Sequence, residues 1–372
     1  MMTMTVTVET LRIWLEEGQP VTILDVRPTV EYTEWSIPGS LHSDAYDALK
    51  AHDPAALSGV TLPTDRPIVT VCGAGKTSQI AAEQLMERGL QVFSLEGGMK
   101  AWSLSWNTAC VSGKTNAPQI IQVRRTGKGC LSYLVGKETE AFVIDASLDP
   151  QVYIGLAARY GWQITSVLDT HIHADHLSRS RQLAQMSGAR LFLPRQQRVT
   201  FPFTVIDEGQ TPVTSALSLT AISTPGHTNE STCYLLDQFD QQVLFTGDTL
   251  FPTSVGRPDL EADEEQAHRR AEALYQSIQQ LFTLPRETLV LSAHTSQPVP
   301  FDGVPLVTTL GDIAERIPLI HEPREKFVQA TLSRIPPTPP NYQRIVRLNE
   351  IGMFPEHDAI ELEAGANRCA IA

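Results

Sequence analysis

Three histidines and one aspartate lie within six residues of this chain: His171, His173, Asp175 and His176. They follow a β-branched and apolar run, residues 164–170, which predicts a buried strand that ends in a turn at the edge of a sheet. In such a turn the first two histidines can approach one point, while the aspartate and the third histidine approach a second. Neutral imidazoles and carboxylates bind divalent transition metals. A histidine-rich surface loop explains the stretch less well, because the whole chain contains only ten histidines.

Three further candidate ligands lie downstream, at His227, Asp248 and His294. Each follows an apolar run and lies beside a glycine or an alanine, so the backbone can turn sharply and the side chain can project. One such element would mean little, but four of them in this order predict a metal centre with up to seven ligands.

This order of elements resembles the metallo-β-lactamase superfamily across roughly residues 119–349. The segment Val255-Gly-Arg-Pro-Asp-Leu260 is similar to the glyoxalase II and persulfide dioxygenase branches of that superfamily. The resemblance implies an αββα sandwich and a catalytic metal centre. Arg257 in this segment is the predicted contact for a substrate carboxylate or a support for the site, and an ion pair with Asp259 is the alternative.

The candidate ligands permit two kinds of centre. In one, His171, His227 and Asp248 form the two-histidine, one-carboxylate set typical of mononuclear non-haem Fe(II), with positions left for O2 and a substrate sulfur. One Fe(II) is then bound per chain. The remaining four candidates would not bind the metal but would orient its ligands and water through hydrogen bonds; they are His173, Asp175, His176 and His294.

In the alternative centre two Zn(II) ions bind. The first zinc would take His171, His173 and His227, the second would take Asp175, His176 and His294, and Asp248 would bridge the two. Two metal ions would generate a hydroxide near neutral pH and polarise a thioester carbonyl. The sequence leaves both centres open.

A second chemical feature is Cys72, which lies between a predicted strand at residues 67–71 and a predicted helix that ends at Gly89. The loop after it consists of Gly73, Ala74, Gly75, Lys76, Thr77 and Ser78. Inward-pointing backbone N–H groups and the helix dipole would favour a thiolate or a persulfide anion there, and Lys76 would attract an anionic sulfur donor. The other cysteines are predicted to be inert; they are Cys110, Cys130, Cys233 and Cys369.

Residues 5–106 resemble a single rhodanese module. The resemblance rests on Leu24-Asp-Val-Arg27 with Ile37-Pro-Gly-Ser-Leu41, on the Cys72 loop, and on Glu96-Gly-Gly-Met-Lys-Ala-Trp102. It implies that Cys72 carries a sulfane sulfur as a persulfide and that Asp25 and Arg27 support the loop. Strands that alternate with helices here predict a parallel sheet with helices on both faces.

The two resemblances together imply an enzyme of sulfur metabolism. A module that loads sulfur onto Cys72 makes sense beside one that consumes persulfides. The expected reaction is Fe(II)-dependent oxidation of a low-molecular-weight persulfide, with glutathione as the expected carrier, to sulfite. Thiosulfate and O2 are the other expected small-molecule partners. The alternative is a dinuclear zinc hydrolase of thioesters with a sulfurtransferase module.

The predicted organisation is a rhodanese-like domain (1–106), a flexible linker rich in Ser, Thr, Asn and Gly (107–118), a metal domain (119–349) and a tail (350–372). His357 and Cys369 in the tail are expected to be incidental. The formal charge of −13 argues against nucleic acids and anionic membranes as partners. No apolar run is long enough to span a membrane, and the N-terminus lacks a signal or transit pattern. Five scattered cysteines fit a reducing compartment, so a cytoplasmic location is expected; homo-oligomerisation is left open.

Overall fold

The computed structural model describes residues 4–111, 117–237 and 241–371, without the side chains of residues 356–358. Its first five strands are β1 (Thr5–Val6), β2 (Thr22–Asp25), β3 (Leu41–His42), β4 (Ile68–Val71) and β5 (Val92–Leu95). The helices between and after them are α1 (Val8–Glu16), α2 (Thr29–Glu34), α3 (Tyr46–Lys50), α4 (Thr77–Glu87) and α5 (Gly98–Trp102). The strands form a parallel sheet in the order β1-β5-β4-β2-β3, which confirms the predicted N-terminal α/β fold.

Local signals account for the helices that the sequence predicts here. Thr7 caps α1, because its hydroxyl accepts a hydrogen bond from the backbone N–H of Thr10 at 3.1 Å. The apolar positions of α4, Ala81, Ala82 and Leu85, are fully buried against the sheet with Val92. The sheet therefore carries the Cys72 loop at the carboxyl end of β4, directly before the N-terminus of α4.

The second part of the chain begins with a seven-stranded sheet. Its strands are β6 (Asn107–Val111), β7 (Gln119–Arg125), β8 (Cys130–Lys137), β9 (Glu140–Ile144), β10 (Gln163–Leu168), β11 (Arg190–Pro194) and β12 (Thr204–Ile206). The connections contain α6 (Pro150–Arg159) and α7 (Ser180–Ser187). The strands lie in the order β12-β11-β10-β9-β8-β7-β6.

A six-stranded sheet follows, in the order β13-β14-β15-β16-β17-β18. Its strands are β13 (Gly209–Pro212), β14 (Ser218–Ser223), β15 (Thr232–Leu236), β16 (Val243–Gly247), β17 (Leu289–Ser292) and β18 (Thr308–Thr309). The helices of this part are α8 (Glu264–Leu281), α9 (Leu310–Arg316), α10 (Arg324–Ser333), α11 (Tyr342–Ile351) and α12 (Glu356–Glu363), with a short 3-10 helix at Pro318–His321.

The two sheets pack face to face with helices outside, as the alternation of side chains along a strand dictates. Tyr133 of β8 points into the core between the sheets, where it contacts Phe245 of β16 edge to face. The next residue, Leu134, points the other way and packs with Leu183 of α7. On the far side, α8 packs against the second sheet through Leu274 and its neighbours. The αββα sandwich is confirmed.

The structure differs from the predicted linker over residues 107–111. These residues form β6, which pairs antiparallel with β7 from Asn107↔Arg124 to Val111↔Ile120. The small and polar residues of this segment are typical of a linker, so the sequence did not predict the strand. Alternate side chains of the strand are buried, at Asn107, Ala109 and Val111. Residues 112–116 of the predicted linker lie outside the described part of the chain.

The two parts of the chain contact each other directly. The Trp35 indole N–H donates to the carbonyl of Thr126 at 3.2 Å, and the Arg125 guanidinium donates to the carbonyl of Ser103 at 2.7 Å. A Cβ on Gly127 would lie only 1.8 Å from the Trp102 carbonyl oxygen, so only glycine permits this approach. Within the described residues, none of the helices combines the length and apolarity needed to cross a membrane.

Candidate metal centre and sulfur-transfer loop

Four strand ends bring the candidate metal ligands together at one edge of the sandwich. The 170–176 stretch follows β10, His227 follows β14, Asp248 follows β16 and His294 follows β17. Strands β16 and β17 are parallel neighbours, so the residues that follow them emerge at the same edge. All seven predicted ligands are buried there.

The first candidate metal position consists of His171, His227 and Asp248, whose ligand atoms lie within 4.8 Å of one another. Oδ2 of Asp248 lies 3.7 Å from Nε2 of His171 and 3.5 Å from Nε2 of His227. All three atoms are buried and have no hydrogen-bond partner. Buried polar atoms are nearly always paired, so three unpaired acceptors that face one another fit a bound cation.

Hydrogen bonds orient the two imidazoles of this position. Nδ1 of His227 lies 2.8 Å from the carbonyl oxygen of Arg257, so it carries the proton and leaves the Nε2 lone pair free. Nδ1 of His171 lies 2.9 Å from the hydroxyl of Thr170, which itself donates to Asp145. Burial lowers the pKa of both histidines, with further lowering at His171 from the neighbouring His173. Both rings are therefore neutral near pH 7, the form that binds metals.

His173 contacts a carboxylate that follows β9. Its Nε2 lies 3.2 Å from Oδ1 of Asp145, and it forms a separate group with Asp145 and Asp169. Its other ring nitrogen, Nδ1, is buried and has no hydrogen-bond partner among the described residues, so a three-histidine set remains open beside the two-histidine, one-carboxylate set.

The second candidate metal position consists of Asp175, His176 and His294, together with Cys130. Nε2 of His294 lies 2.9 Å from Oδ2 of Asp175, and the Cys130 thiol lies 3.4 Å from the same oxygen. Asp248 connects the two positions, since its Oδ1 lies 2.5 Å from Nδ1 of His294 while its Oδ2 faces the first position.

Carboxylates control the charge of the second position. Burial alone would lower the pKa of His294, but Asp175 and Asp248 raise it well above its ordinary value. Burial likewise opposes charge on His176, yet Asp175 and then Cys130 raise its pKa to about 10. Burial and Asp175 raise the pKa of the Cys130 thiol, but His176 lowers it, with a net value of about 7. The position therefore favours positive charge beside a readily ionised thiol.

The Cys72 loop lies between β4 and α4. The thiol of Cys72 is buried and donates to the hydroxyl of Ser78 at 3.3 Å. The backbone N–H groups of Met99 and Lys100 donate to the carbonyls of Cys72 and Gly73, at 2.9 and 3.0 Å. A Cβ on Gly98 would lie 2.2 Å from the Cys72 carbonyl oxygen, so α5 can seat against the loop only with glycine at this position.

The remaining predicted loop residues surround this thiol. Gly75, Thr77 and Ser78 are buried, Gly73 is half-buried, and Ala74 and Lys76 are exposed. Asp25 and Arg27 form a buried ion pair at 2.7 Å, and the Arg27 guanidinium also donates to the carbonyl of Trp35.

Comparison with known families identifies both parts. Residues 7–105 match the rhodanese-like domain family, and residues 125–294 match the metallo-beta-lactamase superfamily. The chain joins a rhodanese-like domain to a metallo-β-lactamase domain. The fold of the metallo-β-lactamase domain implies metal binding.

Curated relatives of the metallo-β-lactamase domain include two hydroxyacylglutathione hydrolases. The protein from Pseudomonas entomophila (strain L48) is 32% identical over 152 residues, which are 41% of this chain and 56% of that protein. The protein from Methylobacillus flagellatus is 33% identical over 164 residues, 44% of this chain and 60% of that protein. The matched region thus spans little more than half the length of these relatives.

Two solved structures share the fold. A metallo-beta-lactamase from Staphylococcus aureus subsp. aureus COL superposes with a TM-score of 0.58 at 26% identity, covering 64% of this chain and 74% of that chain. ETHE1 from Myxococcus xanthus superposes with a TM-score of 0.54 at 28% identity, covering 62% of this chain and 97% of that chain.

At Arg257 of the metallo-β-lactamase domain the structure shows the ion pair with Asp259 that the sequence left open as the alternative to a substrate contact. The guanidinium is fully buried and forms two hydrogen bonds with Asp259, both at 2.8 Å. It also donates to the carbonyls of Pro337 and Arg368. With its donors occupied inside the protein, Arg257 supports the loop that follows Asp248 and has no free face for a substrate carboxylate.

Sequence reasoning missed two cysteines of this domain. Cys130 and Cys369 were expected to be inert, but Cys130 belongs to the second metal position and Cys369 forms a group with Asp248 and His294. Two further cysteines were expected to be inert: Cys233 is buried, whereas Cys110 is exposed. No local pattern marks Cys130 or Cys369, because each reaches the metal centre only through contacts between distant segments.

The C-terminal tail closes the metallo-β-lactamase domain over the second position. Asn367 donates to Oδ2 of Asp175 at 2.8 Å, and the carbonyl of Cys369 accepts from the Arg257 backbone N–H at 3.0 Å. Burial raises the pKa of the Cys369 thiol well above its ordinary value, with further raising from Asp175 and Asp248. The tail is thus part of the site, whereas the side chain of His357 lies outside the described residues.

Proposed function

We propose that the metallo-β-lactamase domain oxidises a low-molecular-weight persulfide with Fe(II) at His171, His227 and Asp248. One observation carries this proposal: three buried, unpaired ligand atoms from two histidines and one carboxylate converge there. This is the facial set associated with mononuclear non-haem iron, and it leaves positions open for O2 and a sulfur ligand.

The proposed reaction is persulfide (RSSH) + O2 + H2O → RSH + SO3²⁻ + 2H⁺. The sulfane sulfur loses four electrons, which O2 accepts, and the S–S bond breaks to release the thiol. Bound Fe(II) would supply O2 activation and a binding place for the terminal sulfur.

The residues of the chain prepare this centre. His227 holds its proton at Nδ1 against the Arg257 carbonyl, so its Nε2 is fixed toward the metal position. Thr170 does the same for His171, and Asp145 in turn fixes Thr170. Burial of all three ligands excludes water from the protein side of the position.

We propose that Cys72 of the rhodanese-like domain transfers sulfane sulfur. Its thiolate would attack the outer sulfur of thiosulfate, forming a Cys72 persulfide and releasing sulfite, and a free thiol such as glutathione would then take that sulfur. The buried position of Cys72 against α5, with Ser78 as a partner, supports this role. The product persulfide would be a substrate for the second domain, which gives the fusion a chemical reason.

The test is to purify the full chain without oxygen, measure its metals, and supply glutathione persulfide in an oxygen electrode. We expect close to one iron per chain in the first position, oxygen uptake and one sulfite per O2. Protein that contains one iron but neither consumes oxygen nor forms sulfite would refute the proposal.

A dinuclear zinc thioester hydrolase is the second candidate. The match to hydroxyacylglutathione hydrolases and the assembled group of Asp175, His176 and His294 favour it. Two zincs and no iron per chain, together with hydrolysis of a hydroxyacyl glutathione thioester, would select this function over the first.

A further inference from the structure

A line of buried polar side chains leads from the Cys72 thiol into the sheet of the rhodanese-like domain. The thiol lies 3.3 Å from the hydroxyl oxygen of Ser78, and that oxygen lies 2.9 Å from the hydroxyl oxygen of Ser94. All three residues are no more than 2% exposed. Among the described residues, the Ser78 hydroxyl is the only hydrogen-bond partner of the thiol and also the only partner of the Ser94 hydroxyl.

Three different elements bring these groups together. Cys72 follows β4, Ser78 lies in the first turn of α4, and Ser94 lies in β5, which is a parallel neighbour of β4. A third buried hydroxyl, on Thr70 of β4, donates to the carbonyls of Ser78 and Phe93, at 2.7 and 3.2 Å. Thr70 therefore holds the backbone of Ser78 in place and does not take part in the hydroxyl pair.

The number of hydrogens decides which state of the sulfur this line suits. With a neutral thiol, three hydrogens share two contacts, so one of them has no acceptor among the described residues. Without the thiol hydrogen, two hydrogens serve the same two contacts: Ser94 donates to Ser78, and Ser78 donates to the sulfur anion. Because a buried donor without a partner costs free energy, the line suits the anionic sulfur of Cys72 better than the neutral thiol.

We propose that Ser94 is a positioning residue for sulfur transfer, since its hydroxyl turns the Ser78 hydroxyl toward the anionic sulfur of Cys72. The proposal rests on the role proposed for Cys72 above. Ser94 does not touch the sulfur and acts only through Ser78. In the transfer step, the thiol first loses its proton to solvent. The thiolate then forms a bond to the outer sulfur of thiosulfate, and sulfite leaves with the electron pair of the broken S–S bond.

Charged side chains do not replace the hydroxyl pair at the sulfur. Lys76 of the loop is exposed, and Lys100 of α5 forms an ion pair with Glu361 at 2.7 Å. The buried Arg27, which follows the neighbouring strand β2, is paired with Asp25 at 2.7 Å. Within the described part of the chain, none of these cations forms a hydrogen bond or an ion pair with the thiol.

The test is an ultraviolet titration of the thiolate in the full chain. The absorbance of each variant is measured against pH and compared with the same variant carrying Cys72→Ser, so the difference reports Cys72 alone. In Ser94→Ala we expect the ratio of thiolate to thiol at a given pH to fall about 5-fold, the effect of one ordinary hydrogen bond. Ser78→Ala should lower this ratio by roughly 10-fold or more, because a hydrogen bond to a charged atom is stronger.

The double variant tests whether Ser94 acts through Ser78. If it does, Ser94→Ala has no further effect once Ser78 is alanine. Ser103→Ala is the matched control, since Ser103 is fully buried in the same part of the chain and its hydroxyl has no partner among the described residues. Its titration curve should coincide with that of the wild type. A wild-type curve in Ser94→Ala, an undiminished effect of Ser94→Ala without the Ser78 hydroxyl, or an equal shift in Ser103→Ala would overturn the proposal.

A kinetic readout separates this role from loss of structure. Thiocyanate formation from thiosulfate and cyanide by Ser94→Ala should be about 5-fold slower where the thiol is mainly protonated, and should approach the wild-type rate at high pH. A loss that is equal at every pH would refute the positioning role. Should Ser94→Ala fail to fold, Ser94→Cys takes its place, and a shift in the same direction is expected because a thiol is a weaker donor. The titration requires no sulfur transfer, so it tests Ser94 even if Cys72 proves inactive toward thiosulfate.

Discussion

Glu363 connects the C-terminal tail to the metal domain through buried charges, and its replacement should be costly. Its carboxylate is fully buried and lies 2.6 Å from the Arg125 guanidinium and 2.8 Å from that of Arg179. It also accepts a hydrogen bond from the backbone N–H of Leu177, next to the metal-binding stretch, at 2.7 Å. Glu363→Gln keeps the shape of the side chain but removes the negative charge that both buried guanidinium groups contact.

The magnitude follows from the pKa of this carboxyl. Burial alone would raise it, but Arg125 and Arg179 lower it from 4.5 to about 2. A difference of that size corresponds to about 3 kcal/mol, at the lower end of the roughly 3–5 kcal/mol lost when one partner of a buried pair is removed. We expect Glu363→Gln to lower the free energy of unfolding by about 3 kcal/mol near pH 7.

The assay is urea unfolding followed by far-ultraviolet circular dichroism, with Glu361→Gln as the matched control. Glu361 lies in the same helix and pairs with Lys100 at 2.7 Å, but both side chains are substantially exposed. Exposed pairs contribute at most about 1 kcal/mol. If Glu363→Gln shifts the unfolding midpoint no more than Glu361→Gln does, the buried network does not stabilise the domain as we argue.

The same residue predicts a pH dependence with a definite sign. Because the folded state lowers the pKa of Glu363, its contribution is fully present above pH 4.5 and is lost as the pH falls toward about 2. The difference in unfolding free energy between the wild type and Glu363→Gln should therefore shrink across this range. A difference that stays constant from pH 5 to about pH 2 would contradict the assigned charge state.

Four further outcomes are expected. Cys72→Ser should abolish sulfur transfer from thiosulfate but leave oxygen uptake on added persulfide unchanged; loss of both in folded protein would show that the domains do not act separately. Gly98→Ala should push the Cys72 loop out of place and slow sulfur transfer by on the order of 100-fold, measured as thiocyanate formation from thiosulfate and cyanide. Asp248→Ala should lose iron and oxygen uptake while sulfur transfer continues, as metal analysis of the purified variant will show. Arg257→Lys should lower thermal stability without raising the KM for persulfide, since the guanidinium is enclosed; a raised KM at unchanged stability would restore it as a substrate contact.

Local pattern predicted the N-terminal parallel sheet and the candidate metal ligands, whereas the resemblance to the metallo-β-lactamase superfamily implied the αββα sandwich. The strands before Cys72 and His171 are apolar runs that are followed directly by reactive or metal-binding residue types. Because each strand ends at an edge of its sheet, the side chains that follow it lie at that edge. Asp145 also directly follows an apolar strand, β9. Because it lies far from the histidines in sequence, its contact with His173 could not be predicted.

Only the tertiary structure shows which partner each of these residues contacts. Whether His173 turns toward a metal or toward Asp145, and whether Arg257 faces a substrate or Asp259, depends on which distant segments pack together. Cys130 and Cys369 are the strongest cases, because a thiol becomes a candidate ligand only when a β-bridge to His294 or the return of the C-terminal tail brings it to the site. The sequence by itself determined where strands end and which candidate ligands and which thiol follow those ends. The long-range pairing of strands and tail determined which atoms meet, because ligand geometry depends on distances in space that a one-dimensional pattern does not contain.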